Sequence, residues 1–247
     1  MNHRPLGYEP NEVGVPDEYD SDLVFRGRCK MIDVIFQLAT PITTSEPDRE
    51  FIQTIDGEIR DRSSGTIIGR LSASLVQVGR ISDAGEGLFD VMDGHSSEMA
   101  QYHAAFFKPK GWDYKETIRR QFVDIVSLDL LVLDRAEIEP TYRKQGLGLL
   151  AISRTIDVFG ANCALVAMKP FPLQFSKYLD SGWRAPAGVQ DPTAEFRIAR
   201  QKLCRYWERV GFKRVNGTQF WALCPAVGRP SMKYLVAAID ETCATDE

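Results

Sequence analysis

Arg143-Lys144-Gln145-Gly146-Leu147-Gly148 is the segment of this 247-residue chain whose residue types and spacing most directly suggest chemistry. It joins an apolar run that reads as a strand to one that reads as a helix. The first turn of a helix leaves backbone N–H groups unpaired and carries partial positive charge. Glycine lets an anion approach such backbone with no Cβ in the way. Arg143 and Lys144 add cationic donors beside it. A pyrophosphate therefore has a docking place here, although two glycines alone also make an ordinary tight connection. A Walker A loop would need Lys-Ser/Thr after its second glycine, whereas Leu149-Leu150 follow Gly148. A Rossmann fingerprint would need a third glycine or alanine within a βαβ repeat, and this chain opens instead with an antiparallel pattern.

Other reactive side chains form no comparable group. The five cysteines (Cys29, Cys163, Cys204, Cys224, Cys243) make no CxxC pair, and His3, His95 and His103 lie far from them. No metal site is expected from that spacing. An odd cysteine count without an apolar leader predicts reduced thiols and a cytoplasmic protein. Cys163 and Cys204 sit in predicted regular elements with no histidine nearby, so they read as fillers rather than nucleophiles. With 44% hydrophobic and 26% charged residues the composition is that of an ordinary globular chain. A net charge of −4 with no like-charged block makes nucleic acid an unexpected partner. No window approaches the ~20 apolar residues of a membrane helix, so no membrane association is expected.

The elements that must position the turn follow from periodicity. Residues 1–22, with Pro5, Pro10 and Pro16, read as a flexible arm, and 23–247 as one α+β domain. Three β-rich runs, Leu23–Ala39, Phe51–Arg60 and Thr66–Val78, are joined by short links and predict an antiparallel meander. Leu88 to Phe106 carries helical spacing that Gly94 and His95 could interrupt, and Tyr114–Gln121 reads as a short helix. Phe122–Ile138 is nearly continuous in apolar content and predicts a central strand covered on both faces. Leu149–Phe159 reads as a helix, Ala161–Met168 as a buried strand, and Ala194–Val210 as a second long helix. Phe212–Val215 and Gln219–Leu223 predict a closing pair across Asn216-Gly217. A short helix is expected at Met232–Cys243.

Ile138-Glu139-Pro140-Thr141-Tyr142-Arg143-Lys144-Gln145-Gly146-Leu147-Gly148 resembles the R/Q-x-x-G-x-G/A element of the GNAT N-acetyltransferase superfamily. The helix end Tyr206-Trp207-Glu208-Arg209-Val210-Gly211-Phe212, followed by a strand pair, is similar to a second element of that family. Together they span Phe122 to about Leu223 in the family's order. The resemblance implies a mixed, strongly twisted central sheet flanked by helices, here with an N-terminal antiparallel meander. It implies acetyl-CoA as co-substrate and direct attack of an amine on the thioester. The pyrophosphate ligands would be the backbone N–H groups of Lys144, Gln145, Gly146, Leu147 and Gly148, helped by the Arg143 side chain. The N–H of Ile138, or of a neighbour at a bulge, would polarise the acyl carbonyl.

The resemblance further implies a base four or six residues before Ile138, which selects Asp134 because Val132 cannot act. In an ideal strand Asp134 shares a face with Val132 and Ile138, unless a bulge shifts the register, and Glu137 and Glu139 fall on the other. An ordinary paired carboxylate at a strand end is the alternative for Asp134. The family's thiolate-protonating tyrosine falls on Trp207, which is no acid; adjacent Tyr206 is the candidate, about 100° around the helix, with a core or surface role as its alternative. The family's two helices between the first strands are missing, and insertions at about 79–121 and 170–193 could line the acceptor site or only cover the sheet. Glu86, Asp90, Asp93 and Glu98 could attract a cationic amine or form a solvated face. The expected acceptor is a small-molecule or peptide amine. A homodimer stays open, as do two alternatives: a non-catalytic acyl-CoA-binding module and a modifier of a macromolecular amine.

Overall fold

The computed structural model describes residues 31–38, 46–122, 125, 127–175 and 194–244. The expected arm, the first part of the Leu23–Ala39 run and most of the 170–193 insertion lie outside them. The described residues form a mixed α+β fold with one open, mostly antiparallel seven-stranded sheet. Its strands are β1 (Ile32–Leu38), β2 (Ile52–Asp61), β3 (Ile67–Val76), β4 (Leu130–Ile138), β5 (Leu165–Met168), β6 (Lys213–Arg214) and β7 (Trp221–Leu223), in the order β1-β2-β3-β4-β5-β7-β6. Only β4 and β5 run parallel. Eight helices accompany them: α1 (Pro47–Phe51), α2 (Val78–Ala84), α3 (Leu88–His95), α4 (Ser97–Phe106), α5 (Glu116–Gln121), α6 (Leu147–Thr155), α7 (Ala194–Glu208) and α8 (Met232–Ala244). Among the described residues no helix is long and apolar enough to cross a membrane.

The expected antiparallel meander β1-β2-β3 is present, with α1 in the link from β1 to β2 and α2 following β3. Pro47 starts α1 where its missing N–H costs nothing, so helix rather than strand reaches Phe51. Leu88 to Phe106 is broken at Ser96, not at Gly94. Ser96 is extended (φ −169°), and its Oγ accepts the Met99 N–H at 3.1 Å, capping α4. The central strand begins at Leu130 rather than Phe122. Just before it, the Tyr114 hydroxyl donates to Leu128 O at 3.0 Å, and Asp129 N–H donates to Ser127 Oγ at 3.3 Å. The Asn216-Gly217 turn is present, Thr218 N–H donating to Val215 O at 3.1 Å with Gly217 at φ 72°.

Two cores sandwich the middle of the sheet, and strand alternation sorts the residues between them. Leu130 and Val132 of β4, with Leu165 and Ala167 of β5, pack against α2, α3, α4 and α5. Leu131 and Leu133, with Val166 and Met168, pack against α6 and α7. The predicted cover on both faces is therefore real, and the 79–121 insertion supplies one of the two layers.

Candidate functional site

At Asp134 the central strand changes character. Ala73 of β3 pairs with Leu133 and Ser72 with Arg135, so Asp134 is an extra residue without a partner, a β-bulge. The bulge corrects the ideal-strand expectation. Asp134 keeps the face of Val132, but beyond it Arg135 and Glu137 lie opposite Ser72 and Arg70. Ala136 and Ile138 pack on the other face, toward α6. The Asp134 carboxylate and the Ile138 side chain thus point to opposite sides of the sheet, and Glu137 lies on the Asp134 side.

The same position is where β4 and β5 part. Their pairing runs from Leu130↔Leu165 to Leu133↔Met168 and stops. β5 ends at Lys169-Pro170, and proline offers no N–H to continue a ladder, while β4 goes on to Ile138. The gap opens into a cavity of about 890 Å³ whose walls include Asp134, Ile138, Lys144, Met168, Leu203 and Tyr206. A second cavity of about 430 Å³ lies over the turn, lined by Arg143, Lys144, Gly146, Gly148, Tyr206 and Ile239 among others. Glu139 N–H donates to Ile68 O on β3 at 2.9 Å. Successive amides of an extended strand point to opposite sides, so the Ile138 N–H is turned toward the gap.

The turn places the remaining expected residues. Lys144 has φ 65° and Gly146 φ 72°, two left-handed residues that swing the chain into α6. The backbone N–H groups of Lys144, Gln145, Gly146, Leu147 and Gly148 donate to no described protein group, whereas those of Arg143, Leu149 and Leu150 do. This is a concave run of open amides at a helix N-terminus, an anion-binding arrangement. Arg143 is exposed, and its Nε donates to Ile138 O at 2.8 Å, bracing the strand end against the turn. Gln145 is exposed at the tip and lines neither cavity. Leu147 is buried against Ile59, Ile68 and Leu71.

The glycines have packing reasons as well. A Cβ on Gly146 would come within 2.3 Å of the Ile239 side chain of α8, and one on Gly148 within 3.0 Å of the Tyr206 hydroxyl. Neither neighbour was evident from the turn's sequence. Ile239 carried no signal beyond the apolar pattern of the last helix.

Tyr206 and Trp207 divide the expected tyrosine position between them. Trp207 is buried in the core under α7. Tyr206 lines both cavities, and its hydroxyl accepts the Leu149 N–H at 2.9 Å. Burial pushes its pKa up to about 12, so the phenol keeps its proton at neutral pH.

Asp134 faces solvent through the gap yet is enclosed by protein on its other sides. Its pKa is pushed up to about 7, first by that enclosure and then by the negative charges of Glu98 and Asp56, against the lowering effect of a Ser74 hydrogen bond. Ser74 Oγ donates to Asp134 Oδ2 at 2.7 Å. Arg135, the adjacent cation, is engaged by Glu137, its Nε donating to Oε1 at 2.8 Å. A carboxyl half-ionised near pH 7 can take a proton from an attacking group. Glu86, Asp90, Asp93 and Glu98 are all exposed, and of these Glu98 is the one whose charge is felt at Asp134.

Cys163 and Cys204 pack in and against the core under α6 and α7, where fillers would sit. Burial pushes the Cys163 thiol up to about 12, and Cys204 is raised by the same cause. Among the described residues no group of three or more His, Cys, Asp or Glu could hold a metal ion. No family model matches the chain, and neither does any curated protein or solved structure.

Proposed function

We propose that this chain is an acyl-CoA-dependent N-acyltransferase of the GNAT kind, moving an acetyl group from acetyl-CoA to a primary amine. The observation that carries this reading is the parting of β4 from β5 at the Asp134 bulge, directly beside a turn with five open amides. Pyrophosphate would lie on the N–H groups of Lys144 to Gly148, with Lys144 and Arg143 as cations. The pantetheine arm would run into the gap from the α6 side. The acceptor amine would come from the α4 side, where Asp134 stands.

In this arrangement the amine nitrogen attacks the thioester carbonyl carbon and the carbon–sulfur bond breaks. The Ile138 N–H, turned toward the gap, stabilises the oxyanion. Asp134 takes the amine proton. The Tyr206 oxygen already accepts from Leu149, which leaves its own proton free to meet the departing thiolate.

Release of free thiol from acetyl-CoA over a panel of small-molecule and peptide amines tests the reading. Turnover with at least one amine supports it. Absence of turnover across the panel, together with no transfer of labelled acetyl to any component of a lysate, overturns catalysis. One feature favours a second reading: the Tyr206 hydroxyl is tied to α6 and Trp207 is buried. A non-catalytic acyl-CoA-binding module would bind CoA calorimetrically and release no thiol.

A further inference from the structure

Ser74 is buried near the end of β3, and nothing in the sequence of that strand marks it as more than a small polar residue. In the fold it stands opposite Val132, two residues before the bulged Asp134, and its hydroxyl reaches sideways to that carboxylate at 2.7 Å. A bulged residue lacks the strand partner that fixes the direction of its neighbours. Asp134 therefore depends on a side-chain contact for its orientation, and Ser74 is the described residue that supplies one. The contact is to Oδ2 alone, and no described group donates to Oδ1. One oxygen is held by Ser74, and the other is left open to a further partner.

We propose that Ser74 is the positioning residue of this site: it fixes the bulged Asp134 so that Oδ1 faces the acceptor amine. The proposal rests on the acyltransfer reading, in which Asp134 receives the amine proton. Ser74 touches neither reacting partner and acts only through the carboxylate. The other charged and titratable groups around Asp134 are Glu98 and Tyr102 on α4 and Asp56 on β2, with Arg135 and Glu137 next to it on β4. The two acids disfavour its ionised form, and Arg135 is occupied by Glu137, so the Ser74 hydrogen bond is the named contact that favours the carboxylate.

Ser74→Ala removes that contact with little change in volume. The Asp134 titration midpoint, followed by carbon-detected NMR of aspartate-labelled full-length protein, should move upward by about one pH unit, the scale of a hydrogen bond to a charged acceptor. The acidic limb of kcat/KM for the best acceptor should move with it, lowering the rate at pH 7 about fivefold. CoA affinity measured by calorimetry should not change, because the turn is untouched. Ser74→Thr, which restores a hydroxyl in a strand position, should bring the midpoint and the limb back together. An active wild type whose limb stays in place in Ser74→Ala overturns the positioning role alone. A midpoint that fails to move overturns it equally. A wild type that binds CoA but turns over no amine overturns the underlying reading, and the proposal with it.

Discussion

The Tyr206 hydroxyl accepts the Leu149 N–H at 2.9 Å, tying the last turns of α7 to the first turn of α6. The Leu149 N–H, which also donates to Gly146 O at 2.9 Å, thus reaches a residue 57 positions away, and the same phenol oxygen closes the space beside Gly148. The contact fixes the angle between the two helices that wall the gap. Tyr206→Phe leaves the ring in place and removes the acceptor. Stability should fall by about 1 kcal/mol, and thiol release should slow if the phenol protonates the leaving thiolate. Urea unfolding and the thiol assay separate the two effects: a loss of stability with unchanged turnover would assign Tyr206 to structure only.

Asp134 makes stability depend on pH in a stated direction. Its folded pKa, about 7, lies above the ordinary carboxylate value of 3.8. The folded state therefore binds more protons than the unfolded state between about pH 4 and pH 7, and stability falls as pH rises through that window. Asp134→Asn removes this dependence. The variant should be more stable than wild type at pH 8 by about 1 kcal/mol, well short of the full shift because solvent in the gap screens the charge. Denaturant titrations of both proteins at pH 5 and pH 8 check this; a wild type as stable at pH 8 as at pH 5, relative to the variant, contradicts it. Acyl transfer by Asp134→Asn should drop at least about a hundredfold.

Gly146 and Ile239 should be energetically coupled. Gly146→Ala meets both a left-handed φ of 72° and the Ile239 side chain, and should destabilise by more than about 2 kcal/mol. Ile239→Ala alone removes buried contacts at a cost of about 2–5 kcal/mol. In the double variant the steric part disappears and the backbone part stays, so the two costs should sum to clearly more than the double variant shows. Additive values from thermal or denaturant unfolding would mean that α8 does not press on the turn in solution.

Lys144 separates backbone strain from ligand binding. It is the described non-glycine residue with positive φ, 65°. Lys144→Gly relieves that conformation while raising the entropy of the unfolded chain, so stability should change by less than about 1 kcal/mol. CoA affinity should nonetheless weaken, because a cation beside the open amides is lost. Equal affinity for wild type and variant in calorimetry would remove Lys144 from the phosphate site.

Much of this architecture was readable in the residues. The meander followed from three β-rich runs joined by short links. The buried centre of the sheet followed from Leu130-Leu131-Val132-Leu133, a continuous apolar run that suits a strand covered on both faces. The turn at Arg143 to Gly148 was legible because left-handed backbone and a helix start both leave marks in residue type. These are local properties: a period, a glycine, a run of apolar side chains.

What the tertiary structure decided is everything that depends on which strand lies beside which. Whether Asp134 points with Ile138 or with Glu137 turned on a bulge, and a bulge is visible only in the pairing of β3 with β4. Ser74, 60 positions earlier, became the partner of Asp134 because the two strands meet in that register. Tyr206 rather than Trp207 reached the turn because α7 is rotated to bury its indole, and rotation of a helix about its axis is set by the surface it packs on. Ile239 closed on Gly146 because α8 folds back across α6, and no local pattern records where a terminal helix will dock. Residue types determined that a turn could offer amides and that a strand could be central. Packing alone determined which side chains stand around the gap.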